Sequence, residues 1–425
     1  MYRGSGKLKV FQTLAPPQQR NLAALFLSGL MFWSSLTMLL PTLPPYIRDA
    51  SGSDYLVGWV MGSFAIGLLL FRSILGRAAD RHSRKAVVLL GTAIVGTAPL
   101  CYALVHSVAL LALFRAFHGI SIAAFTTGYS TLVVDISPPE KKGELIGYMS
   151  LVVPIGMALG PAVGGLLQVQ AGYTTLFLVS AAAGFWGFFS AALVHEPRSR
   201  ARQDAVAQIG SDDKQFWQLL LGDRLRTPAT VMLLMGLVFG TLASYLPLYV
   251  RDLSVPLNPG WFYTTSALAS FTVRVYVGRA SDRYGRGLFI SCSLVAYITA
   301  MFILATAQSP QQILGAAVLQ GAGAGTLIPM AIALMADRSR AHERGKIYSL
   351  CLFGYDFGIA LGGPLLGSLS LAVGYRGLFF LAAGLAALAL AVFLTRSSKD
   401  LVHSLRFATG QDSDPYAVRV PEAVT

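Results

Sequence analysis

Charged residues are scarce in this sequence. Its 425 residues are 54% hydrophobic and only 12% charged, and the mean hydropathy is +0.60. A water-soluble globular domain carries roughly 25% charged residues. This composition therefore excludes a fold surrounded by water, and lipid is the expected solvent of the chain.

Cysteine and histidine are also rare, with three and six copies. Cys101, Cys292 and Cys351 each lie inside an apolar run, without the spacing of a metal site or of paired disulfides. We interpret them as small buried hydrophobic residues. The sequence also lacks a nucleotide-binding loop and paired catalytic carboxylates. We therefore expect no metal, no cofactor, no enzyme activity and no ATP-driven transport by this chain.

Long uncharged runs dominate the sequence instead. A membrane-spanning helix needs about 20 mostly apolar residues. The first such run is too long for the core of a signal peptide and is interpreted as a span. We predict an all-α polytopic membrane protein with twelve transmembrane helices in two six-helix pseudo-symmetric halves. The predicted spans are 21–47, 55–76, 86–106, 108–134, 145–170, 173–195, 227–250, 258–277, 287–307, 311–336, 346–371 and 375–395.

A longer polar segment separates the sixth span from the seventh. Within it, the stretch KQFWQLLLGDRLR places apolar residues on one helical side, which suits a helix at the membrane interface. A plain linker is the alternative. The predicted organisation is an N-tail at 1–20, an N-terminal bundle at 21–196, a linker at 197–226, a C-terminal bundle at 227–396 and a C-tail at 397–425.

Positive charge is distributed unevenly between alternate loops. The net charge of +13 would also suit a nucleic-acid partner. Most of the 33 Lys and Arg, however, fall in the tails, the linker and one set of loops, and the other loops hold only Arg48, Arg251 and Arg376. This asymmetry follows the positive-inside rule. It predicts cytoplasmic tails and no nucleic-acid partner, and we expect a bacterial inner (plasma) membrane location.

One charged decapeptide occurs twice. GRAADRHSRK begins at Gly76, and GRASDRYGRG begins 202 residues later at Gly278. The same spacing relates Asp135 to Asp337, so the repeat extends well beyond the decapeptide. An even number of spans in each half keeps both halves in the same orientation. In such parallel repeats the substrate site lies between the halves, near the middle of the membrane.

These motifs resemble those of the major facilitator superfamily over nearly the whole chain. The decapeptide is similar to that family's loop motif between spans two and three, from which Ser83 and Gly287 depart. The stretch LFRAFHGISIAA resembles the motif R-x-x-Q-G, with His118 in the Gln position. GMALGPAVGG matches a span-five motif of proton-coupled exporters. The resemblance is to the twelve-span drug:proton antiporter group, although span one lacks the acid that many such exporters carry.

The decapeptides and nearby acids are candidate gates. Gly76 should allow two helices to approach closely, and Asp80 should lie at the start of span three. Arg84 should then pair with Asp80 or reach Asp135. The resemblance implies that these clusters hold the cytoplasmic side closed, and a solvated turn is the alternative. The candidate gating residues are Gly76, Asp80, Arg81, Arg84, Asp135, Gly278, Asp282, Arg283, Arg286 and Asp337.

Two charges lie within predicted spans. Arg115 interrupts a long stretch without other charges, and a charge at the centre of a span costs about 2.5–3.5 kcal/mol. The resemblance places it near the proton and substrate route, and an arginine that snorkels to the interface is the alternative. Asp356 lies about ten residues into span eleven. It is the candidate proton-coupling site, or else a packing residue hydrogen-bonded to Tyr355 or a carbonyl.

The remaining candidates concern a hinge and a pocket. Small residues recur along span five and suit close helix packing. The alternative hypothesis is that they form a hinge between the two halves. The hinge candidates are Gly156, Gly160, Pro161, Gly164 and Gly165. The pocket candidates are Trp33, His118, Tyr129, Phe239, Tyr245 and Gln320. This mostly apolar and aromatic set favours an amphipathic or lipophilic solute.

The sequence therefore favours a secondary transporter, a monomer in lipid that moves a small organic molecule by alternating access. Proton-coupled efflux is the preferred form of that activity. A facilitator or importer of a sugar or metabolite is the first alternative. A membrane receptor or scaffold on the same fold, which transports nothing, is the second.

Overall fold

The computed structural model describes residues 14–105, 107–196, 222–339 and 344–418. All regular elements in these ranges are helical, which confirms the all-α class. The helices of the first part are α1 (Pro16–Met38), α2 (Leu43–Ser51), α3 (Asp54–Arg81), α4 (Arg84–Leu104), α5 (Val108–Ile136), a 3-10 turn (Pro139–Lys141), α6 (Lys142–Met149) and α7 (Val152–Ala192). Those of the second part are α8 (Asp223–Asp252), α9 (Gly260–Tyr284), α10 (Arg286–Thr306), α11 (Pro310–Asp337), α12 (Arg344–Gly367), α13 (Ser370–Arg396) and α14 (Leu401–Ala408).

Nine helical stretches in the described ranges are long and apolar enough to cross a membrane. One of them, Pro139–Ala192, is 54 residues long. It contains two spans, because Gly172 adopts φ 79° and interrupts the helix there. The apolar stretch Cys351–Gly367 and helix α9 complete a layout of twelve spans.

Left-handed glycines mark equivalent breaks in the two halves. Gly172 has φ 79° and Gly374 has φ 64°, and each lies inside a continuous helical stretch. Glycine adopts such angles without the steric cost that a side chain brings. The left-handed backbone of Gly172 therefore explains why the helix breaks at 170–173, the predicted boundary between spans five and six.

The chain divides into two compact units. The first consists of Met1–Ser51 and Ser63–Gly210. Within it, α1 and α4 both pack on α7, and α4 also packs on α5. Its core is built around Phe32, whose ring stacks on that of Phe125 at 3.9 Å between centroids. Apolar side chains turned inwards from these four helices thus hold the unit together.

The second unit consists of Gly52–Gly62 and Ser211–Thr425. Within it, α8 packs on α12, and α10 packs on both α11 and α13. These are the neighbours expected if α8, α10, α11, α12 and α13 repeat spans one, three, four, five and six of the first half. The exact domain boundaries stay a prediction. Residues 1–13 of the predicted N-tail and 197–221 of the predicted linker lie outside the described residues, and so does most of the stretch predicted as an interfacial helix.

Candidate transport and gating sites

The first copy of the decapeptide ends in an ion pair. Arg84 Nη1 pairs with Asp135 Oδ2, which joins the first residue of α4 to the end of α5. The two side chains are only 20% and 19% exposed. Arg84 Nη1 also donates a hydrogen bond to the carbonyl oxygen of Thr131 at 3.4 Å. The pair therefore connects two neighbouring spans at one end of the unit.

Glu196 completes this site, although the sequence analysis did not single it out. Its carboxylate accepts hydrogen bonds from Ser83 Oγ at 2.5 Å and from the amides of Arg84 at 2.9 Å and Lys85 at 3.4 Å. A carboxylate at a helix N-terminus satisfies unpaired amides and complements the helix dipole. The sequence signal that could have identified Glu196 is its position directly after the sixth predicted span.

Asp80 does not lie at the start of span three, so that expectation is wrong. It is the penultimate residue of α3, which ends at Arg81. Ser83 instead occupies the N-cap of α4, where its Oγ accepts a hydrogen bond from the amide of Ala86 at 3.0 Å. The serine that departs from the family motif is therefore a helix cap. The side chain of Arg81 is exposed.

The expected close approach of helices at Gly76 is also wrong for this structure. A Cβ placed on Gly76 or on Gly278 meets no heavy atom within 4 Å. Close contacts occur instead in span four, where a Cβ on Gly119 would overlap the carbonyl oxygen of Phe64 in span two. The equivalent Gly321 would overlap the carbonyl oxygen of Ser266. Spans two and four, and spans eight and ten, therefore touch through these glycines.

The second copy of the decapeptide has an equivalent ion pair. Arg286 Nε lies 2.6 Å from Asp337 Oδ2, and the two side chains are 26% and 41% exposed. Gly285 has φ 84° at the position equivalent to Ser83, so here the glycine of the motif makes a left-handed turn. The Arg283 guanidinium lies over the ring of Tyr284 at 5.4 Å. The side chain of Asp282 is outside the described part of the chain.

Arg115 lies at the centre of a buried polar cluster in the first unit. The residue is 7% exposed, and its guanidinium carbon lies 4.3 Å from the centroid of the Phe64 ring. Its Nη1 is 3.5 Å from His118 Nδ1, and the hydroxyl of Tyr102 is 3.1 Å from the same nitrogen. The guanidinium is thus enclosed by side chains of the protein, and its place on a proton and substrate route stays a prediction.

Two nitrogens of this cluster have no hydrogen-bond partner among the described residues. They are Arg115 Nε and His118 Nε2, and both are fully buried. Buried polar groups are almost always paired, and a buried charge without compensation costs several kcal/mol. The described side chains therefore leave these two buried nitrogens without a hydrogen-bond partner.

The repeat places a different pair at the equivalent point of the second unit. Gln320 stands 202 residues after His118, and Ser266 stands 202 residues after Phe64. The ring of His118 meets that of Phe64 edge-on at 5.6 Å, whereas Ser266 Oγ donates to Gln320 Oε1 at 2.5 Å. Gln320 Nε2 also donates a hydrogen bond to the Tyr297 hydroxyl at 3.4 Å. Both halves therefore have a contact between these two spans, through aromatic rings in the first and through hydrogen bonds in the second.

The other pocket candidates are engaged in helix packing. The Tyr129 hydroxyl donates to the carbonyl oxygen of Met149 at 2.9 Å, and that of Tyr245 donates to Gly363 at 2.7 Å. In the first unit, the ring of Trp33 meets Phe32 edge-on at 5.6 Å. In the second, Phe239 lies 6.1 Å from Tyr355. A role of these four residues in a pocket stays a prediction.

Asp356 lies in α12, and its side chain is half-buried. It directly follows Tyr355 in the sequence. The ring of Tyr355 in turn lies against Phe239 of α8. The acid therefore lies beside the contact between spans seven and eleven of the second unit.

The glycines of span five form its contact with span one. A Cβ on Gly156 would lie 2.5 Å from Trp33 Cβ, and one on Gly160 would overlap Thr37 Oγ1. A Cβ on Gly164 would overlap the carbonyl oxygen of Met38. Pro161 and Gly165 are buried in the same helix. This is the close packing expected of small residues, and a hinge function stays a prediction.

Fold and composition together define an integral membrane protein of twelve helices in two repeated halves. A family profile described as Major Facilitator Superfamily matches residues 25–263 and 252–413. The chain belongs to the major facilitator superfamily and is a membrane transporter. The expectation that it is a transporter and not an enzyme is thereby confirmed.

Two relatives are named for drug resistance. The chain is 25% identical over 302 residues to the quinolone resistance protein NorA of Staphylococcus aureus, which covers 68% of this chain and 74% of that protein. It is 26% identical over 388 residues to the multidrug resistance protein MdtG of Klebsiella pneumoniae, covering 86% and 90% respectively. The resemblance to the drug:proton antiporter group is confirmed by these relatives.

Solved structures share the fold. A crystal structure of a mutant of the nucleoside transporter NupG has a TM-score of 0.78 at 15% identity, covering 88% of this chain and 98% of that one. A bacterial homologue of the human lysosomal transporter Spinster has a TM-score of 0.71 at 18% identity, covering 89% and 96%. These likenesses concern the fold alone.

Proposed function

We propose that this transporter exports a small amphipathic or lipophilic organic solute in exchange for protons. The names of the relatives NorA and MdtG and the span-five motif GMALGPAVGG support export of drug-like molecules. We further propose that the chain works as a monomer in a bacterial inner membrane, with both tails in the cytoplasm. The distribution of lysine and arginine supports that orientation.

The buried Arg115 cluster carries the proposal. Arg115 and His118 each keep an unpartnered nitrogen in the interior of the first unit. No ion pair joins Arg115 to a carboxylate in the described ranges. A charged side chain within a membrane span is costly, so its presence points to function. In the proposal, a polar group of the solute or a proton-carrying acid compensates this charge during the cycle.

Asp356 supplies the proton in this proposal. It is a half-buried acid in a span of the second unit, beside Tyr355. A carboxylate in that setting is able to take up and release a proton as its surroundings change. Neither Asp356 nor Arg115 is repeated at the equivalent position, where Pro154 and Ala317 stand. The coupling chemistry therefore falls where the two halves differ.

The two decapeptides act as gates in this proposal. Each unit has an arginine–aspartate pair that joins neighbouring spans at one end, Arg84 with Asp135 and Arg286 with Asp337. Partly exposed pairs of this kind are weak enough to break and reform during a transport cycle. In the proposal, the other candidate gating residues, which lie near the C-terminal ends of α3 and α9, contribute to the shape and charge of the same regions.

The experiment uses everted membrane vesicles, a fluorescent lipophilic cation and an imposed proton gradient. Arg115→Gln should abolish gradient-driven uptake of the dye, because it removes the buried charge while keeping similar bulk. Asp356→Asn should abolish the collapse of the gradient that the dye induces. Arg20→Gln, which changes an exposed arginine at the start of α1, is the matched control and should leave both signals unchanged.

Two outcomes would overturn the proposal. If Arg115→Gln and Asp356→Asn both retain full gradient-driven dye uptake, neither residue takes part in coupling. If the wild-type protein moves the solute at the same rate with and without a gradient, a facilitator is the correct assignment. Melting temperatures of the purified variants separate loss of function from loss of folding.

A further inference from the structure

The segment that follows the last span docks on the second unit beside its gate. Helix α14 starts at the N-cap Asp400, whose carboxylate accepts a hydrogen bond from the amide of His403 at 2.9 Å. At its other end, the carbonyl oxygen of Ala408 accepts a hydrogen bond from Ser291 Oγ of α10 at 2.9 Å. Phe407 and Ala408 are buried. The tail is therefore part of the folded unit.

This docking explains the departure of the second decapeptide from the family motif. Gly287 stands where the motif has Arg or Lys, and a Cβ at this position would overlap the carbonyl oxygen of Phe407. Gly410, with φ 77°, turns the chain beyond the helix, and its own Cβ would lie 2.8 Å from the carbonyl oxygen of Tyr284. A basic side chain at position 287 is incompatible with the docked tail.

A fully buried arginine holds the tail in place. The side chain of Arg338 is 0% exposed, and its Nε and Nη2 donate to the two carboxylate oxygens of Asp414 at 2.7 and 3.1 Å. Nη1 donates to the carbonyl oxygen of Arg224 at 2.8 Å, and Nη2 to that of Ser397 at 2.7 Å. Such two-pronged, charge-assisted bonding is strong and geometrically specific. The ring of Tyr416 lies 5.1 Å from the guanidinium.

This arginine is the neighbour of the gating acid. Arg338 directly follows Asp337, and the amide of Val418 donates to the carbonyl oxygen of Asp337 at 2.9 Å. The tail therefore binds both the backbone of Asp337 and the side chain next to it. The first unit has no arginine at this point, because Ile136 occupies the position 202 residues before Arg338.

We infer that Arg338 and Asp414 are positioning residues, which hold Asp337 in place to pair with Arg286. The Asp337 side chain is 41% exposed, so its ion pair has to overcome the entropy of two mobile side chains. A backbone fixed by the tail lowers that cost. The inference rests on the proposed gating function, since it assigns the tail to the same Arg286–Asp337 pair.

The test uses the full chain in oriented proteoliposomes. It compares the KM for the fluorescent lipophilic cation measured from the two faces of the membrane. Asp337→Asn should change the ratio of the two KM values about two- to fivefold, as expected for a half-exposed pair. Asp414→Asn should change it in the same direction by a similar factor, whereas Asp414→Glu should stay near wild type. Asp412→Asn, an exposed acid on the same tail, is the matched control and should have no effect.

The double variant Asp414→Asn/Asp337→Asn identifies the route of the effect. It should equal Asp337→Asn alone, because the tail then has no gate to position. Additive effects of the two substitutions would overturn the inference, as would an Asp414→Asn protein that matches wild type while Asp337→Asn does not. A ratio unchanged by Asp337→Asn would instead refute the gating proposal itself, and the positioning role with it.

Discussion

The gate of the first unit should be the stronger of the two. Its partners, Arg84 and Asp135, are 20% and 19% exposed, against 26% and 41% for Arg286 and Asp337. Exposed pairs contribute about 0–1 kcal/mol, whereas breaking a fully buried pair costs about 3–5 kcal/mol. Because the burial of the first pair is intermediate, its contribution should be about 1–2 kcal/mol. The second pair should contribute about 0.5–1 kcal/mol.

Asp135→Asn tests this difference, because it removes the charge while keeping the shape of the side chain. If the pair exists in only one conformation of the cycle, losing about 1–2 kcal/mol shifts the conformational equilibrium about 5–30-fold. The ratio of KM values from the two membrane faces, in oriented proteoliposomes, should change by that factor. The charge-swapped protein Arg84→Asp/Asp135→Arg should recover part of the loss.

The reasoning is refuted if Asp135→Asn changes this ratio less than Asp337→Asn does. Burial would then not set the strength of the two pairs. A loss of folding would appear as a fall in the melting temperature of the purified protein, so that measurement accompanies each KM determination. Raising the salt concentration should weaken the second pair more than the first, because exposed charges are screened more effectively.

Three further predictions concern single substitutions, one of them with a control. Gly160→Ala should cost about 1–3 kcal/mol, seen as a lower melting temperature in detergent, because its Cβ would overlap Thr37 Oγ1; Gly384→Ala, with open space around it, should not lower that temperature. Glu196→Gln should cost about 0.3–1 kcal/mol and speed hydrogen exchange of the first amides of α4, because it removes a charge from the helix start. His118→Gln should retain transport, because the second half carries glutamine at the equivalent position; loss of transport by a variant with an unchanged melting temperature would show that the imidazole itself is required.

The number and arrangement of the spans could be predicted from the sequence because the protein lies in a membrane. Every span must be apolar and must satisfy its own backbone, so runs of uncharged residues and the 202-residue repeat indicate twelve helices in two halves. The breaks at Gly172 and Gly374 are similarly visible, because they recur at the same spacing. The interfacial linker helix and the assignment of gating roles stay predictions.

Contacts between distant segments could not be predicted in the same way. Glu196 caps a helix that starts more than a hundred residues earlier, and its partners are mainly backbone amides, which no residue pattern reveals. The buried Arg338–Asp414 pair joins a span to a tail that composition presents only as a polar terminus. The predicted position of Asp80, at the start of span three, is wrong because helix α3 continues through this residue. The helix ends about one turn beyond the predicted end of span two.

The central claim is that this chain couples solute export to protons through Arg115 and Asp356. Its most direct measurement is solute-induced proton movement by the purified protein in proteoliposomes, followed with a pH-sensitive dye inside the vesicles. The account predicts a proton flux that depends on the solute and disappears in both Arg115→Gln and Asp356→Asn. Solute movement without any accompanying proton flux in the wild-type protein would contradict it.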